Sequence, residues 1–215
     1  MTSAHTTIVW FRHDLRVHDH RPLHLAAASE RLLAVYCLPP NWLCDGPAGV
    51  PRLGAHRRAY LTQALAGLAT SLAALGNELL ILVADPVQAL HDLSRTLGDA
   101  PVLVHAHPGW EERETIEQLQ QRGVNVHAFG GGGLFDANDL PFPLDPFPVP
   151  FTSFRKRIEA ADWPSIEPLP APTALLPSAA LPPDLYAPER AQARAIFQLD
   201  KSSIDTPVAD PRSAL

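Results

Sequence analysis

Hydrophobic and polar positions follow two alternating periods along the chain, and this pattern predicts strands and helices in regular succession. Unbroken aliphatic runs such as residues 79–84 are typical of strands covered on both faces of a parallel sheet. The predicted strands cover residues 7–11, 32–38, 79–84, 102–106 and 124–129. Between them, apolar residues recur every three or four positions and predict amphipathic helices. The predicted helices cover residues 21–28, 53–75, 86–97 and 110–122.

This alternation predicts an α/β fold with three layers, in which helices cover both faces of a five-stranded parallel sheet of Rossmann-like type. Right-handed crossover connections predict the strand order 3-2-1-4-5. The order reverses between strands one and four, and ligands of such sheets bind at that reversal. We therefore expect the loops after strands one and four to line a ligand crevice.

Both of these loops carry charged side chains. The candidate binding residues in them are Arg12, His13, Asp14, Trp110, Glu111 and Glu112. An aromatic ring beside carboxylates and arginines can stack on a flat heteroaromatic ligand and hydrogen-bond to its edge. The loops therefore predict a site for a ligand of that kind.

Structural interpretations of the same residues stay open. Glu111 and Glu112 lie in a first helical turn, where acidic groups complement the helix dipole. Arg12 and Asp14 could form a salt-bridged loop that fixes the first connection, and Trp110 could pack at a helix start. Residues 56–58 place positive charge near the start of the second helix, which indicates a bound anion, a contact with another domain or solvated side chains; Arg52 could belong to this group.

Composition restricts the functional classes. The chain has 215 residues, of which 46% are hydrophobic and 19% charged, as in soluble globular proteins with one core. Its net charge of −6 argues against autonomous nucleic-acid binding. We find neither an apolar run long enough for a membrane nor a signal peptide, and expect a cytoplasmic protein. Cys37 and Cys44 lack zinc-type spacing with histidines, so free thiols and no metal are expected.

The composition changes after residue 140 and predicts three segments. Residues 1–140 form the α/β domain, and residues 141–160 form an extended segment followed by a short amphipathic helix. Prolines at 141, 143, 146, 148 and 150 favour the extended conformation in that segment. Residues 161–215 are rich in proline and predict a linker or tail, with one short helix at 188–198.

The stretch WFRHDLR at residues 10–16, followed by Asp19, resembles the start of the DNA photolyase and cryptochrome family, closest to its DASH type. Further matching segments are GAHRR at 54–58, LPF at 140–142, FTSFRKRIE at 151–159 and, more weakly, DPRSAL at 210–215. The resemblance runs from residue 7 to about residue 160. It implies an N-terminal antenna-type domain without the helical domain that holds FAD in full-length relatives, which are FAD-dependent DNA photolyases.

The resemblance also implies a ligand and its contacts. Antenna chromophores of this family include methenyltetrahydrofolate, deazaflavin and FMN, whereas FAD is not expected in this chain. In folate binders an acidic residue just after strand four contacts the pterin, and Glu111 or Glu112 matches it. The region that lines the deazaflavin pocket corresponds here to Arg12, Asp14, Cys37, Leu38 and Pro39.

The expected function is therefore chromophore binding without catalysis by this chain alone, and no catalytic residue is assigned. One alternative is a stand-alone nucleotide-binding protein of Rossmann-like type, although no glycine-rich phosphate motif is present. Another is a truncated fragment that binds nothing tightly. The expected partners are a separate FAD-binding photolyase-type domain or a second copy of the chain.

Overall fold

The computed structural model describes residues 6–46, 49–130, 133, 135, 140–148, 150–161 and 167–198. The strands are β1 (Thr6–Phe11), β2 (Arg31–Leu38), β3 (Leu79–Val83), β4 (Val102–His105) and β5 (Val126–Phe129). The α-helices are α1 (Arg21–Ala26), α2 (Ala55–Ala74), α3 (Pro86–Thr96), α4 (Trp110–Gln121), α5 (Phe151–Ala160) and α6 (Ala187–Phe197). Among the described residues, no helix combines the length and apolar character that a membrane span requires.

The five strands form one parallel sheet in the order β3-β2-β1-β4-β5, which confirms the predicted topology. The central strand β1 is buried along its whole length, and its Ile8 lies opposite Leu33 of β2 and Val102 of β4. Such double coverage explains why this strand has no polar alternation.

Alternate residues of β1 enter different core layers, because successive side chains of a strand point to opposite faces. Ile8 and Trp10 pack in the layer that includes the leucines of α3 and α4. Val9 and Phe11 pack in the opposite layer with α1 and part of α2. Full burial of each such side chain stabilises the fold by roughly 1.5–3 kcal/mol.

The observed starts of β5 and α2 each lie two residues after the predicted ones, and backbone hydrogen bonds explain both. Val124 donates its backbone N–H to the Leu119 carbonyl at 3.1 Å, so it closes the end of α4 instead of beginning β5. Gly123 makes this cap with a φ of 82°, a conformation that favours glycine. Leu53 donates its N–H to the Trp42 carbonyl at 3.1 Å and belongs to the loop before α2.

The described part of the predicted tail packs against the domain. Ala179 donates its N–H to the Leu32 carbonyl at 3.0 Å, beside the start of β2. Helix α6, predicted at 188–198, lies against β3 and α2, and its Ala193 and Phe197 are fully buried. Residues 167–198 thus extend the core, whereas the resembling segment at 210–215 lies outside the described residues. The domain boundaries at 140 and 160 stay predictions.

Candidate functional site

A cavity of about 450 Å³ opens at the carboxyl ends of β1 and β2, between α2 and α4. Seven of the ten predicted binding residues line it. They are Arg12, His13, Asp14, Cys37, Pro39, Glu111 and Glu112. The loop after β1 and the first turns of α4 contribute as expected from the topology, but β2 and α2 form a larger part of the wall than predicted.

Sequence reasoning missed the aromatic part of this wall. It consists of Trp10, Tyr36, Trp42 and Tyr60. Trp10 is buried and also lines the cavity, and its indole Nε1 has no hydrogen-bond partner among the described residues. Tyr60 is 74% exposed, which is uncommon for so large an aromatic side chain. Flat aromatic surfaces of this kind are suited to stacking on a ring ligand.

One cation of the wall comes from α2. The guanidinium of Arg57 lies 4.2 Å from the centre of the Trp42 ring. Arg57 belongs to the positively charged group 56–58, for which a bound anion, a contact with another domain and solvated side chains were the open interpretations. Arg57, Leu61 and Ala64 are spaced four and three residues apart, so they share one face of α2 with Tyr60 beside them. That spacing was the available sequence signal for this wall.

Arg12 connects the ends of two strands. Its guanidinium donates to the carbonyls of His105 at 2.5 Å and Glu112 at 3.2 Å, and it lies 4.6 Å from the centre of the Trp10 ring. Burial lowers the pKa of Arg12, and the neighbouring carboxylates of Asp14 and Glu112 oppose that shift. These contacts support a structural role for Arg12 in fixing the first connection, but through backbone carbonyls and not through the salt bridge that the sequence suggested.

Asp14 is the centre of a buried polar cluster, hereafter the Asp14 cluster, that also contains His20 and His105. Its carboxylate accepts the Arg12 N–H at 2.8 Å and a hydrogen bond from His105 Nδ1 at 2.6 Å, and His20 Nε2 approaches it off line at 2.9 Å. Burial alone would raise the pKa of Asp14, but the hydrogen bonds from His105, His20 and Arg12 hold it far below its usual range.

The proton of His20 can be assigned from its contacts. Its Nδ1 accepts the backbone N–H of Leu23 at 3.1 Å, where it caps α1, so a neutral ring carries its proton on Nε2 and points it at Asp14. Burial lowers the pKa of His20 although Asp14 acts in the opposite direction. The Asp14 cluster therefore contains a carboxylate and at least one neutral imidazole.

A second cluster, hereafter the Glu112 cluster, contains Glu112, His13 and His107. His13 Nε2 lies 2.8 Å from Glu112 Oε1, and His107 Nδ1 lies 3.5 Å from Glu112 Oε2. Burial would raise the pKa of Glu112, but the hydrogen bond from His13 and the nearby histidines lower it overall. Unlike the Asp14 cluster, this one is partly exposed to solvent.

The structure places three predicted binding residues outside the cavity wall. Leu38 is fully buried in the core. Arg52 donates to the Glu111 carboxylate at 2.7 Å, at the rim, and Trp110 is 69% exposed on the outer side of α4. Cys37 does line the cavity, and burial raises the pKa of its thiol to about 12, so it serves as an inert wall group.

The fold and this cavity define a Rossmann-like α/β domain with a ligand crevice at the carboxyl edge of its sheet. The family model described as DNA photolyase matches residues 7–173, and the chain belongs to that family. It is 36% identical over 220 residues to the cryptochrome DASH of Gloeobacter violaceus, an alignment that covers 99% of this chain and 41% of the relative.

Solved structures agree with this membership. A cryptochrome from Synechocystis superimposes with a TM-score of 0.76 at 33% identity, over 86% of this chain and 41% of that chain. A class III photolyase from Agrobacterium tumefaciens gives a TM-score of 0.66 at 26% identity, over 85% of this chain and 37% of that chain. The chain thus spans about two fifths of the relatives it matches.

Proposed function

We propose that this domain binds a planar heteroaromatic antenna chromophore in the cavity at the ends of β1 and β2, and that it has no catalytic role by itself. The observation that carries the proposal is the aromatic wall, in which rings of Trp10, Trp42 and Tyr60 surround a cavity of about 450 Å³. Ligand pockets of roughly 300–1,000 Å³ with apolar walls and few polar groups are typical of small-molecule sites.

Polar groups at the edge of the cavity suit a conjugated ring with an anionic tail. Arg57 supplies a cation beside Trp42, and Glu111 and Glu112 supply acceptors on the opposite side. These donors and acceptors fit the edge of a flavin, a deazaflavin or a folate.

Among the three chromophores, the cavity favours a flavin or deazaflavin. Four of the five positions that the family resemblance assigns to the deazaflavin pocket line the cavity, namely Arg12, Asp14, Cys37 and Pro39, and the fifth, Leu38, is buried in the core. A folate would instead depend mainly on the acidic residues at the start of α4. Methenyltetrahydrofolate therefore remains the second ligand to test.

The first experiment is an absorption spectrum of freshly purified protein from 300 to about 500 nm, the range in which these chromophores absorb, followed by titration with FMN, a deazaflavin and methenyltetrahydrofolate. We expect one equivalent of flavin-type ligand, with quenched fluorescence because the ring stacks on aromatic side chains. Tyr60→Ala should weaken binding at least about tenfold if stacking contributes 1–1.5 kcal/mol beyond the buried area.

Trp110→Ala is the matched control, because Trp110 is similarly exposed but lies outside the cavity. If Trp110→Ala weakens binding and Tyr60→Ala does not, the ligand lies elsewhere. Replacing both Glu111 and Glu112 with Gln should weaken folate binding more than flavin binding. A protein that binds none of the three compounds, or prefers AMP or ATP, would contradict the proposal and favour the fragment or the nucleotide-binding alternative.

A partner is proposed separately. Phe151 is 74% exposed and Phe147 is 48% exposed, and both rings contact Phe154 of α5. Adjacent exposed aromatics are typical of surfaces that another protein covers. We propose a flavoprotein domain of photolyase type as that partner, and co-purification of such a domain with the full chain would test it.

A further inference from the structure

The Glu112 cluster brings together three side chains that the sequence did not connect. His13 comes from the loop after β1, His107 from the loop after β4, and Glu112 from the first turn of α4. The donor atoms of all three lie within 4.8 Å of one another. The expectation that the chain holds no metal depended on cysteine spacing and did not consider this combination.

The distances within the cluster suit a small divalent ion. Zinc is bound by histidine nitrogen and carboxylate oxygen at about 2.0–2.2 Å, so two ligands of a tetrahedral site lie roughly 3.3–3.5 Å apart. His107 Nδ1 and Glu112 Oε2 are already 3.5 Å apart. His13 Nε2 lies closer to Oε1, at 2.8 Å, the length of a hydrogen bond whose proton a metal would replace.

The side chains can also adjust and exchange. The side chains of His13 and His107 are 42% and 39% exposed, so small rotations can open a position between them without disturbing the core. His107 Nδ1 accepts the N–H of Gly109 at 3.1 Å, so this nitrogen carries a lone pair and not a proton. A metal at this nitrogen would therefore take the place of the Gly109 N–H.

Gly109 provides an independent sign that the cluster is closely built. A Cβ at this position would clash with Glu112 Oε2 and would come within 2.9 Å of His107 Nδ1. The backbone of Gly109, at φ −59°, does not itself require glycine. A side chain at this position would therefore force the Glu112 carboxylate and the His107 ring to shift.

The Asp14 cluster has the same composition but a different chemistry. All three of its residues are largely buried, and the Asp14 carboxylate already faces three donors. A metal there would have to displace these donors in a site with little access to solvent. The Glu112 cluster is more exposed, and fewer hydrogen bonds, those of His13 and of the Gly109 N–H, would have to be replaced.

We propose that His13, His107 and Glu112 form a three-ligand site for a divalent first-row transition metal, with zinc as its reference ion. Two imidazoles and one carboxylate are a ligand set that zinc, copper, nickel and iron accept, and magnesium and calcium do not favour. Three protein ligands leave a fourth position for water or another molecule. Because His13 and Glu112 also line the cavity, the ion would stand at its rim.

The test is calorimetric titration of the full chain, stripped of metal with a chelator, with zinc chloride alone. We expect one zinc to bind per chain. We expect His13→Ala, His107→Ala and Glu112→Gln each to lower the affinity for zinc at least about tenfold. Cobalt should give the intense visible absorption of a tetrahedral site in the parent protein only. Gly109→Ala should lower the affinity for zinc as much as Glu112→Gln does, because the methyl group of the alanine displaces the Glu112 carboxylate.

The matched controls are His24→Ala and Glu117→Gln, which remove an exposed imidazole from α1 and an exposed carboxylate from α4. Both should bind zinc like the parent. Circular dichroism establishes that each variant is folded. The proposal is overturned if the folded parent binds no zinc, or if a His13→Ala, His107→Ala double variant binds it with unchanged affinity, since the zinc would then lie at another group of histidines.

Discussion

Two neighbouring residues of the loop after β1 belong to two clusters of the same chemical composition. Each cluster contains one carboxylate and two imidazoles: Asp14 with His20 and His105, and Glu112 with His13 and His107. The first is buried at the junction of β1, β4 and α1, and the second is partly open to solvent. The same chemical groups, one carboxylate and two imidazoles, are therefore buried in one cluster and partly exposed to solvent in the other.

The difference shows how burial decides what such a cluster can do. A carboxylate removed from water must have its lone pairs satisfied by protein donors, and Asp14 receives them from two imidazoles and a backbone N–H. Glu112 keeps its hydration in part and needs fewer internal partners. The buried cluster holds the fold together, and the open one stays available to a ligand.

The largest expected effect comes from Asp14→Asn. The amide cannot accept hydrogen bonds at both of its terminal atoms, so at least one of the donors that face Asp14, an imidazole or the Arg12 backbone N–H, loses its acceptor. We expect the free energy of unfolding, measured by urea titration, to fall by about 3 kcal/mol. Glu112→Gln should cost less than about 1 kcal/mol, because the ion pair it removes is partly exposed.

The two substitutions control for each other, since both convert a carboxylate that contacts two histidines into an amide. Equal losses of stability would mean that burial does not distinguish the clusters. A variant of His20 provides a further test. His20→Asn can retain the cap on the Leu23 N–H but not the approach to Asp14, and should lose part of the same free energy.

Arg12→Ala should have the next largest effect, because Arg12 connects the two clusters. Its backbone N–H contacts Asp14, and its guanidinium holds the carbonyls of His105 and Glu112. Loss of the two guanidinium bonds and of the packing on Trp10 should cost about 2 kcal/mol in a thermal or urea unfolding experiment, whereas the backbone N–H bond to Asp14 is kept. Arg12→Lys keeps the charge but not the two-carbonyl geometry, and should recover only part of it.

The competing interpretation of Arg12 as a ligand group makes the opposite forecast. It requires that Arg12→Ala abolish chromophore binding while stability stays unchanged. The measurements of unfolding and of ligand titration on the same variant separate the two roles.

The sequence was sufficient for the topology because β1 to β4 consist mainly of apolar residues and because α2 and α3 have clear leucine periods. It also placed Arg12, Asp14 and Glu112 at one sheet edge, since parallel strands end on the same side. It did not divide them between two clusters. The burial of the imidazoles beside Asp14 depends on where His20 caps α1, and no local sequence pattern encodes the position of that cap.

The aromatic wall was missed for a related reason. Trp42 lies in a loop, and Tyr60 and Arg57 lie on a helix whose leucine stripe indicates only the face packed on the sheet. Their meeting at the cavity depends on how α2 is set against the end of β2. The packed segment 167–198 was missed because its prolines resemble a linker, although its Leu175 and Phe197 are buried.

The smallest expected effect concerns Glu111, which belongs to neither cluster and pairs with Arg52 at 2.7 Å on the surface. A double-mutant cycle of Arg52→Ala and Glu111→Gln should give a coupling of about 0.5 kcal/mol at low salt, because both side chains are largely solvated. At 1 M salt the coupling should nearly vanish, since the Debye length falls to about 3 Å. A coupling above 2 kcal/mol that persists in salt would show that the rim is as ordered as the Asp14 cluster, and exposure alone would then no longer explain the contrast.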